Sequence, residues 1–453
     1  MSMNHDTSSH ASSADPINGA EPESGGRGGG MLRALRHRNY QLFFSGQLIS
    51  LIGTWMQSVA ESWLIYRLTG SSVLLGFIGF SAQIPVFLLA PVGGLVADRF
   101  NRHRILLVTQ TSAMLLVSAL AMVTLLGRVE TWHIFTLAAL LGVVNAFDIP
   151  ARQSFVVEMV GKEDLVNAIA LNSSMFNGAR MVGPAVAGIL VGAIGEGWCF
   201  FANAVSYIAV LTGLLLMNVV PRLRQPEPGS AVVRMKEGFG FVWRTRPVRA
   251  LILLLGVVSL MGMPYAVLMP IFANRILHGG PSSLGLLMGA TGVGALAGAL
   301  TLAARRGVSG LGSWISYAAA GFGGGLILFS FSRSFWLSAL LLIPVGFSMM
   351  VQMASSNTLV QMMVPDHLRG RVMAVYSMMF MGMAPLGALM AGLLADRLGA
   401  PATVALGGSV CIVGSIIFRR YLPGLRGEAR RLIVAQSMAA GVPSDKMAGG
   451  NVT

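Results

Sequence analysis

Five polar side chains stand inside otherwise apolar stretches of this sequence: Glu61, Asp148, Arg152, Arg180 and Gln352. Their types suit the handling of charge rather than bond making. A carboxylate can take up and release a proton, and a guanidinium can hold an anion or neutralise that carboxylate. Asp148 and Arg152 are one helical turn apart and can pair with each other; Asp148 is also available to Arg180 on the next apolar segment. Glu61 ends a polar stripe of Gln47, Ser50, Thr54 and Ser58, spaced by three or four residues, so one face of that helix is wet. Gln352 belongs to a similar group with Ser348, Ser355, Ser356 and Asn357, set among Met349, Met350 and Met353. These methionines read as core filler or as a flexible lining. A charge at the centre of an apolar helix costs about 3 kcal/mol on insertion scales, so such groups face the interior and find partners. Arg180 reads first as a structural group of this kind.

Enzymatic chemistry has little to stand on. No nucleophile–base pair is visible, and most of the seven histidines fall in the tail and loops. Cys199 and Cys411 sit alone in apolar segments, without the spacing of a disulfide framework or a zinc site. No GxxxxGK[ST] phosphate loop occurs, so the chain carries no ATPase of its own. No cofactor and no metal is expected.

The elements that must position the five residues are written in the hydropathy. Of the 453 residues 54% are hydrophobic and only 11% charged, about half the charge of a soluble domain. Charged residues cluster between apolar runs of about 20 residues, the length that crosses a ~30 Å hydrocarbon core. Runs fall at 41–66, 72–97, 104–126, 132–157, 168–193 and 197–220, and again at 249–275, 283–303, 310–331, 335–363, 371–395 and 401–420. The fold class is therefore an all-α integral membrane protein of twelve transmembrane helices. The expected organisation is a disordered cytoplasmic tail (1–38), a six-helix bundle (39–220), a cytoplasmic linker (221–248), a second six-helix bundle (249–421) and a cytoplasmic tail (422–453).

Basic residues give the orientation. One side receives the tail arginines, Arg99, Arg102, Arg104, Lys162, the basic linker, Arg305, Arg306, Arg369 and Arg371. The other receives Arg67, Arg128, Arg275, Arg333 and Arg397. Both termini are thus expected in the cytoplasm. This asymmetry accounts for the net charge of +14 without nucleic acid as a partner. In the linker, Pro226, Pro228 and Gly229 break the chain. Val232, Met235, Phe239 and Val242 then recur opposite Arg234 and Lys236, the pattern of an amphipathic helix on the inner leaflet with Trp243 at the interface.

The two halves repeat at an offset of about 204 residues. GVVNAFDIPARQSFVVEMVGKEDL from Gly142 matches GFSMMVQMASSNTLVQMMVPDHL from Gly346 in its small and apolar positions. Gly183-Pro184 has its counterpart in Ala384-Pro385, and Gly94 in Gly298. Two bundles related by a pseudo-two-fold repeat form a transporter plan with the substrate site between them.

Two local motifs carry a family resemblance. The loop GGLVADRFNRHRIL (Gly93–Leu106) resembles the major facilitator signature at Gly94, Asp98, Arg99, Arg102 and Arg104; Asn101 replaces the signature's second glycine and is expected to tolerate its left-handed turn. Such a loop can act as a cytoplasmic gate. Gly94 would let helices approach, and Asp98 would accept bonds from a facing helix N-terminus. The equivalent loop of the second half has Leu302 in place of Asp98. GLLADRLG (Gly392–Gly399) looks similar but belongs to the opposite side. NGARMVGPAVAG (Asn177–Gly188) resembles the antiporter signature, in which Gly183 and Pro184 bend the helix near the contact between halves. Together with QLISLIGTWMQSVAESWLIYRLTGSS (Gln47–Ser72), these segments resemble the branch of the major facilitator superfamily that contains enterobactin-exporter-like siderophore and drug efflux proteins. The resemblance spans roughly residues 35–420. It implies proton-driven export by alternating access in a bacterial inner membrane, by a monomer whose partners are lipid, protons and a small organic molecule. It also makes Glu61 and Asp148 candidates for the proton-carrying carboxylate, because the helices that bear them line the central cavity in the family. The branch does not require Glu61, which can instead be read as a gate residue at the outer end. An uptake symporter and a non-transporting receptor or scaffold are the alternatives.

Overall fold

The computed structural model describes residues 32–161, 163–219, 231–305, 307 and 310–439. The expectations for residues 1–31, Lys162, Pro226, Pro228, Gly229, Arg306 and 440–453 lie outside the described residues. Side chains of 231–234, Val232 and Arg234 among them, are likewise outside the description. The helices are α1 (Arg38–Thr69), α2 (Ser72–Arg99), α3 (Arg102–Leu125), α4 (Thr131–Val160), α5 (Leu165–Ile194) and α6 (Glu196–Leu215). After the linker helix α7 (Ala231–Arg244) come α8 (Arg246–Ile276), α9 (Pro281–Ala304), α10 (Leu311–Phe331), α11 (Phe335–Met363), α12 (Asp366–Leu398) and α13 (Ala400–Ala439). Eleven of these are long and apolar enough to cross a membrane. The twelfth span is α1, whose apolarity is lowered by its polar stripe; α7 is too short.

Packing repeats between the halves. The partners α2–α4, α3–α4, α3–α6 and α1–α6 in the first set reappear as α9–α11, α10–α11, α10–α13 and α8–α13 in the second. Close approaches are made by glycines at equivalent places. A Cβ at Gly142 would lie 2.5 Å from the Ala82 carbonyl oxygen, and one at Gly346 2.0 Å from that of Thr291. Without a side chain, the two backbones come together and gain dispersion contacts that a larger residue would forbid. Between the sets, α5 packs on α9 and α2 on α12, a pair of contacts that the same two-fold exchanges.

Three features differ from the sequence expectation. α8 is not a uniform helix: it widens into π turns at Val258–Gly262 and Phe272–Ile276, on either side of a break at Met263 and Pro264. Prolines that leave carbonyls without donors favour such local rewinding. Asn101 does not take the left-handed turn expected of it; its φ is −63°, and its side-chain oxygen caps α3 by accepting from the Arg104 N–H at 3.3 Å. Finally, α13 runs through Pro423 to Ala439. Leu422, Ala429 and Ile433, at helical spacing, face an apolar groove shared with Leu251, Leu359 and Met363, which gives the continued helix something to bury.

In the linker, α7 is helical over Ala231–Arg244. Val242 is buried, whereas Phe239 and Trp243 are exposed. A Cβ at Gly238 would be 2.7 Å from the Arg371 carbonyl oxygen, and Glu237 pairs with the Arg371 side chain, so α7 is fastened to the start of α12.

Candidate functional site

The space between the two sets of helices is closed at one end. The end carrying the α1–α2 turn at Gly70 is here called the far end; the end carrying the Phe100–Asn101 loop is the near end. α2 and α9 start at the far end, while α5 and α12 finish there. Gly76 meets Gly392, Gly188 meets Gly285, and Gly292 meets Met181, each with a Cβ distance below 3 Å. Ser282 donates to the Gly188 carbonyl at 3.0 Å, and Arg275 donates to that of Gly70 at 3.1 Å. Among the described residues every close glycine approach between the sets falls between mid-helix and the far end. On the near half of α5 and α12, Val166, Ile169, Phe176, Met378 and Met381 are exposed.

Gly183 and Pro184 face two different partners beside this junction. A Cβ at Gly183 would be 2.5 Å from that of Trp55, so the glycine lets α5 lie against α1. Pro184 has no N–H, which releases the carbonyl of Arg180 one turn earlier. Its own carbonyl oxygen faces Gly285 of α9.

The five sequence candidates separate into four places. Asp148 is buried, with 1% of its surface exposed, and its carboxylate is saturated. Oδ1 accepts from Thr109 Oγ1 and Gln110 Nε2, both at 2.8 Å, and Oδ2 accepts from Arg152 Nε at 3.0 Å and also from Nη2. Arg152 then donates from Nη1 to Gln47 Oε1 at 3.1 Å. Of the two arginines open to Asp148, the structure selects Arg152. Helix rotation turns Arg180 away, toward the other half. There its Nη2 lies 3.5 Å from Met349 Sδ and its Cζ 5.6 Å from the centre of the Trp55 ring.

Glu61 forms a third place. It is half-buried and shares a face of α1 with the exposed Thr54 and Ser58. Gln57, one turn earlier, hydrogen-bonds its carboxylate, and Gln57 Oε1 itself accepts from Asn203 Nδ2 at 2.5 Å. Among the described residues Glu61 has no ion pair. Gln352 forms the fourth. It occupies the repeat position of Asp148, fully buried, and neither of its amide atoms has a partner; Ser355 Oγ and Ser356 Oγ are likewise unpartnered. Buried polar atoms in such a cluster are places where water is held.

The signature loop departs from its expected roles. Gly94 approaches nothing: a Cβ there would meet no atom within 4 Å. The close approach belongs to its neighbour Gly93, whose Cβ would fall 2.0 Å from the Ala146 carbonyl oxygen of α4. The Asp98 side chain is 53% exposed and 3.8 Å from Arg102, and among the described residues no helix N-terminus is bonded to it. Arg102 is the buried member. It donates to the Ala97 carbonyl at 3.0 Å and pairs with Glu158 of α4, a residue the sequence reading passed over. Arg99 and Arg104 are exposed. Thr109, Gln110 and Asn203 were also missed. Each is a polar group inside an apolar run, and asking who could satisfy Asp148 and Gln57 would have pointed to them.

Residues 30–440 match the family described as transmembrane secretion effector. The chain belongs to that family, within the major facilitator superfamily. It is similar to the staphyloferrin A transporter of Staphylococcus aureus, at 25% identity over 83% of this chain and 94% of that protein. It is also similar to the multidrug efflux pump Tap of Mycolicibacterium fortuitum, at 27% identity over 83% and 93%, and to the enterobactin exporter EntS of Citrobacter koseri, at 25% over 90% and 96%. Among solved structures the nucleoside transporter NupG superposes with a TM-score of 0.67 at 13% identity, covering 86% of this chain and 99% of that one. The likeness is one of fold, and it is the fold of a twelve-helix transporter. The chain is a multi-pass membrane transporter.

Proposed function

We propose that this transporter is a proton-coupled antiporter that exports a small organic molecule, siderophore-like or drug-like, by alternating access. The observation that carries the reading is the asymmetry of the space between the halves. It is sealed at the far end by glycine contacts, and mid-way along α5 Arg180 reaches across it to Met349 of the other half. The names of the relatives, siderophore and multidrug exporters, support the substrate range. The basic residues support a cytoplasmic location for both tails and the linker, which makes the near end the cytoplasmic one in a bacterial inner membrane. Lipid, substrate and protons are the partners, and a monomer suffices because one chain supplies both walls. Residues 39–220 and 249–421 are the two rocking bundles.

Between the two candidate carboxylates, the proton falls to Glu61. Protonating Asp148 would remove the charge opposite the Arg152 guanidinium, a cost of about 3–5 kcal/mol for a buried pair. Protonating Glu61 breaks no ion pair. Asp148, Arg152 and Gln47 instead hold α4 to α1 and, through Thr109 and Gln110, to α3. Gln352 keeps the matching place in the second half, and Gly183 with Pro184 forms the helix junction on which export depends. Gly94, Asp98, Arg99, Arg102 and Arg104 form the gate at the near end.

Efflux from proteoliposomes under an imposed pH gradient, run over siderophores and lipophilic drugs, tests the proposal. Export that follows the gradient and stops on its collapse is the expected result. Gradient-driven uptake of the same compounds would reverse the direction, and transport indifferent to the gradient would remove the proton.

A further inference from the structure

Among the described residues Arg180 is a cation without a counterion. Arg67, Arg102 and Arg152 each have a carboxylate partner in Glu196, Glu158 and Asp148. No carboxylate lies within ion-pair distance of Arg180 among the described residues. The titratable group set against it is the phenol of Tyr265 on α8. Among the described residues its one hydrogen-bond contact is with a thioether, Met349 Sδ at 3.5 Å, a weak acceptor. A guanidinium has five N–H donors in a planar fork, so most of its capacity is unspent. Intramembrane charges are retained where they meet a partner or a water-filled path. Arg180 therefore stands at mid-membrane with its fork available.

Its surroundings are of one kind. Trp55 of α1 lies at 5.6 Å and packs edge-on to Phe176 of α5, again with ring centres 5.6 Å apart; Phe176 is 47% exposed. Met349 of α11 and Tyr265 of α8 complete the wall, so the guanidinium is met by side chains from both halves. Its backbone belongs to the inter-half junction too: Gly292 of α9 faces the Arg180 carbonyl that Pro184 leaves without a donor. Cation, aromatic faces and a deformable thioether together make a site for an organic anion with an apolar body.

We propose that Arg180 is the anion-binding residue of the translocation site, and that the exported molecule carries a carboxylate which takes the guanidinium fork while its apolar part lies against Trp55, Phe176 and Met349. The inference rests on the exporter reading and names its substrate class: organic carboxylates, in preference to lipophilic cations. While the site is empty, water serves the fork; bound substrate supplies the missing counterion.

The test uses the full-length protein in nanodiscs and three probes sharing one aromatic body: 2-naphthylacetate, its neutral amide and 2-(2-naphthyl)ethylammonium. Binding is read by saturable thermal stabilisation. Wild type is expected to bind the carboxylate about ten-fold or more tighter than the other two, the scale of one charge-assisted fork. Arg180→Gln removes the preference, and Arg180→Lys, which keeps the charge but not the fork, retains part of it. Should Arg180→Gln fold poorly, Met349→Glu places a carboxylate of the chain beside Arg180 and is expected to abolish carboxylate binding alone. Equal binding of the three probes, a preference for the ammonium, a carboxylate preference that survives Arg180→Gln, or no saturable binding at all overturns the assignment. Gradient-driven efflux is measured in parallel. Efflux with no carboxylate preference sinks this inference only, and a carboxylate preference without gradient dependence sinks only the proton coupling.

Discussion

At the scale of single residues, the contrast between Glu61 and Asp148 decides what each can do. Both are carboxylates in membrane-spanning helices, yet one is filled by Thr109, Gln110 and Arg152, and the other is hydrogen-bonded by Gln57 and, among the described residues, has no ion pair. Glu61→Gln keeps that contact and removes the proton. It is expected to abolish gradient-driven efflux while leaving substrate exchange across the membrane intact; exchange lost to the same degree would make Glu61 a binding residue instead. Asp148→Asn is expected to act on stability, lowering it by about 3 kcal/mol by stranding Arg152. The double variant Asp148→Asn/Arg152→Gln should recover most of that loss in a thermal unfolding assay, since the unpaired charge goes with its partner. If the double variant is no better than the single, the pair is not what Asp148 contributes. The residues themselves were legible in the sequence, because a charge in an apolar run cannot hide. Which arginine answers Asp148 was not. That choice is set by the relative rotation of α4 and α5, and it left Arg180 facing the other half.

The same limit governs the elements. Span lengths and the repeat could be read directly, because a 20-residue apolar run and a match at fixed offset need no knowledge of packing. Phase around each helix does need it. Gly93 and Gly94 differ by a rotation of about 100°, and the one that meets α4 is Gly93, not the signature glycine. Asn101 caps a helix where a left-handed turn was expected, because its side-chain oxygen has a free N–H to serve at the start of α3. The π turns of α8 left only Gly262 and Pro264 as signals. At the α5–α9 junction, phase makes a graded prediction. A Cβ at Gly285 would lie 2.4 Å from the Pro184 carbonyl oxygen and 2.6 Å from Gly188 Cα, backbone that cannot yield; at Gly289 the nearest atoms are 3.6 Å away. Gly285→Val is expected to destabilise the sealed end by about 1–3 kcal/mol, as overpacking does, and to lose cross-linking between cysteines placed at Gly192 and Ser282. Gly289→Ala should behave as wild type in both assays. Equal tolerance of the two substitutions would mean that the helices do not meet as closely as described.

For the whole molecule, the far end explains what is present and the near end what is missing. Gly76, Gly188, Gly285 and Gly392 at the far end meet the opposite half, whereas Gly94 faces open space and Asp98 is exposed, although their spacing is that of a gate. In the alternating-access proposal both find their use when the near end closes, with Gly94 admitting a helix and Asp98 bonded across the gap. This yields a prediction that a purely local role for the loop would not make. Gly94→Val introduces no clash in the structure described, so the protein should fold and retain its thermal stability. Closure would be blocked, and efflux should fall to background. A maleimide on a cysteine at Val166 or Ile169, both exposed on the near half of α5, should then react at least as fast as in the parent, and one at Gly192 should stay protected. Gly93→Val, with the Ala146 carbonyl oxygen 2.0 Å from the new Cβ, is the control that fails by misfolding instead. Asp98→Asn should push labelling in the same direction as Gly94→Val but by less, since it weakens the closed state without obstructing it. Normal efflux by a folded Gly94→Val protein would mean that the near end never closes over this glycine, and the gate would have to be sought elsewhere on α2.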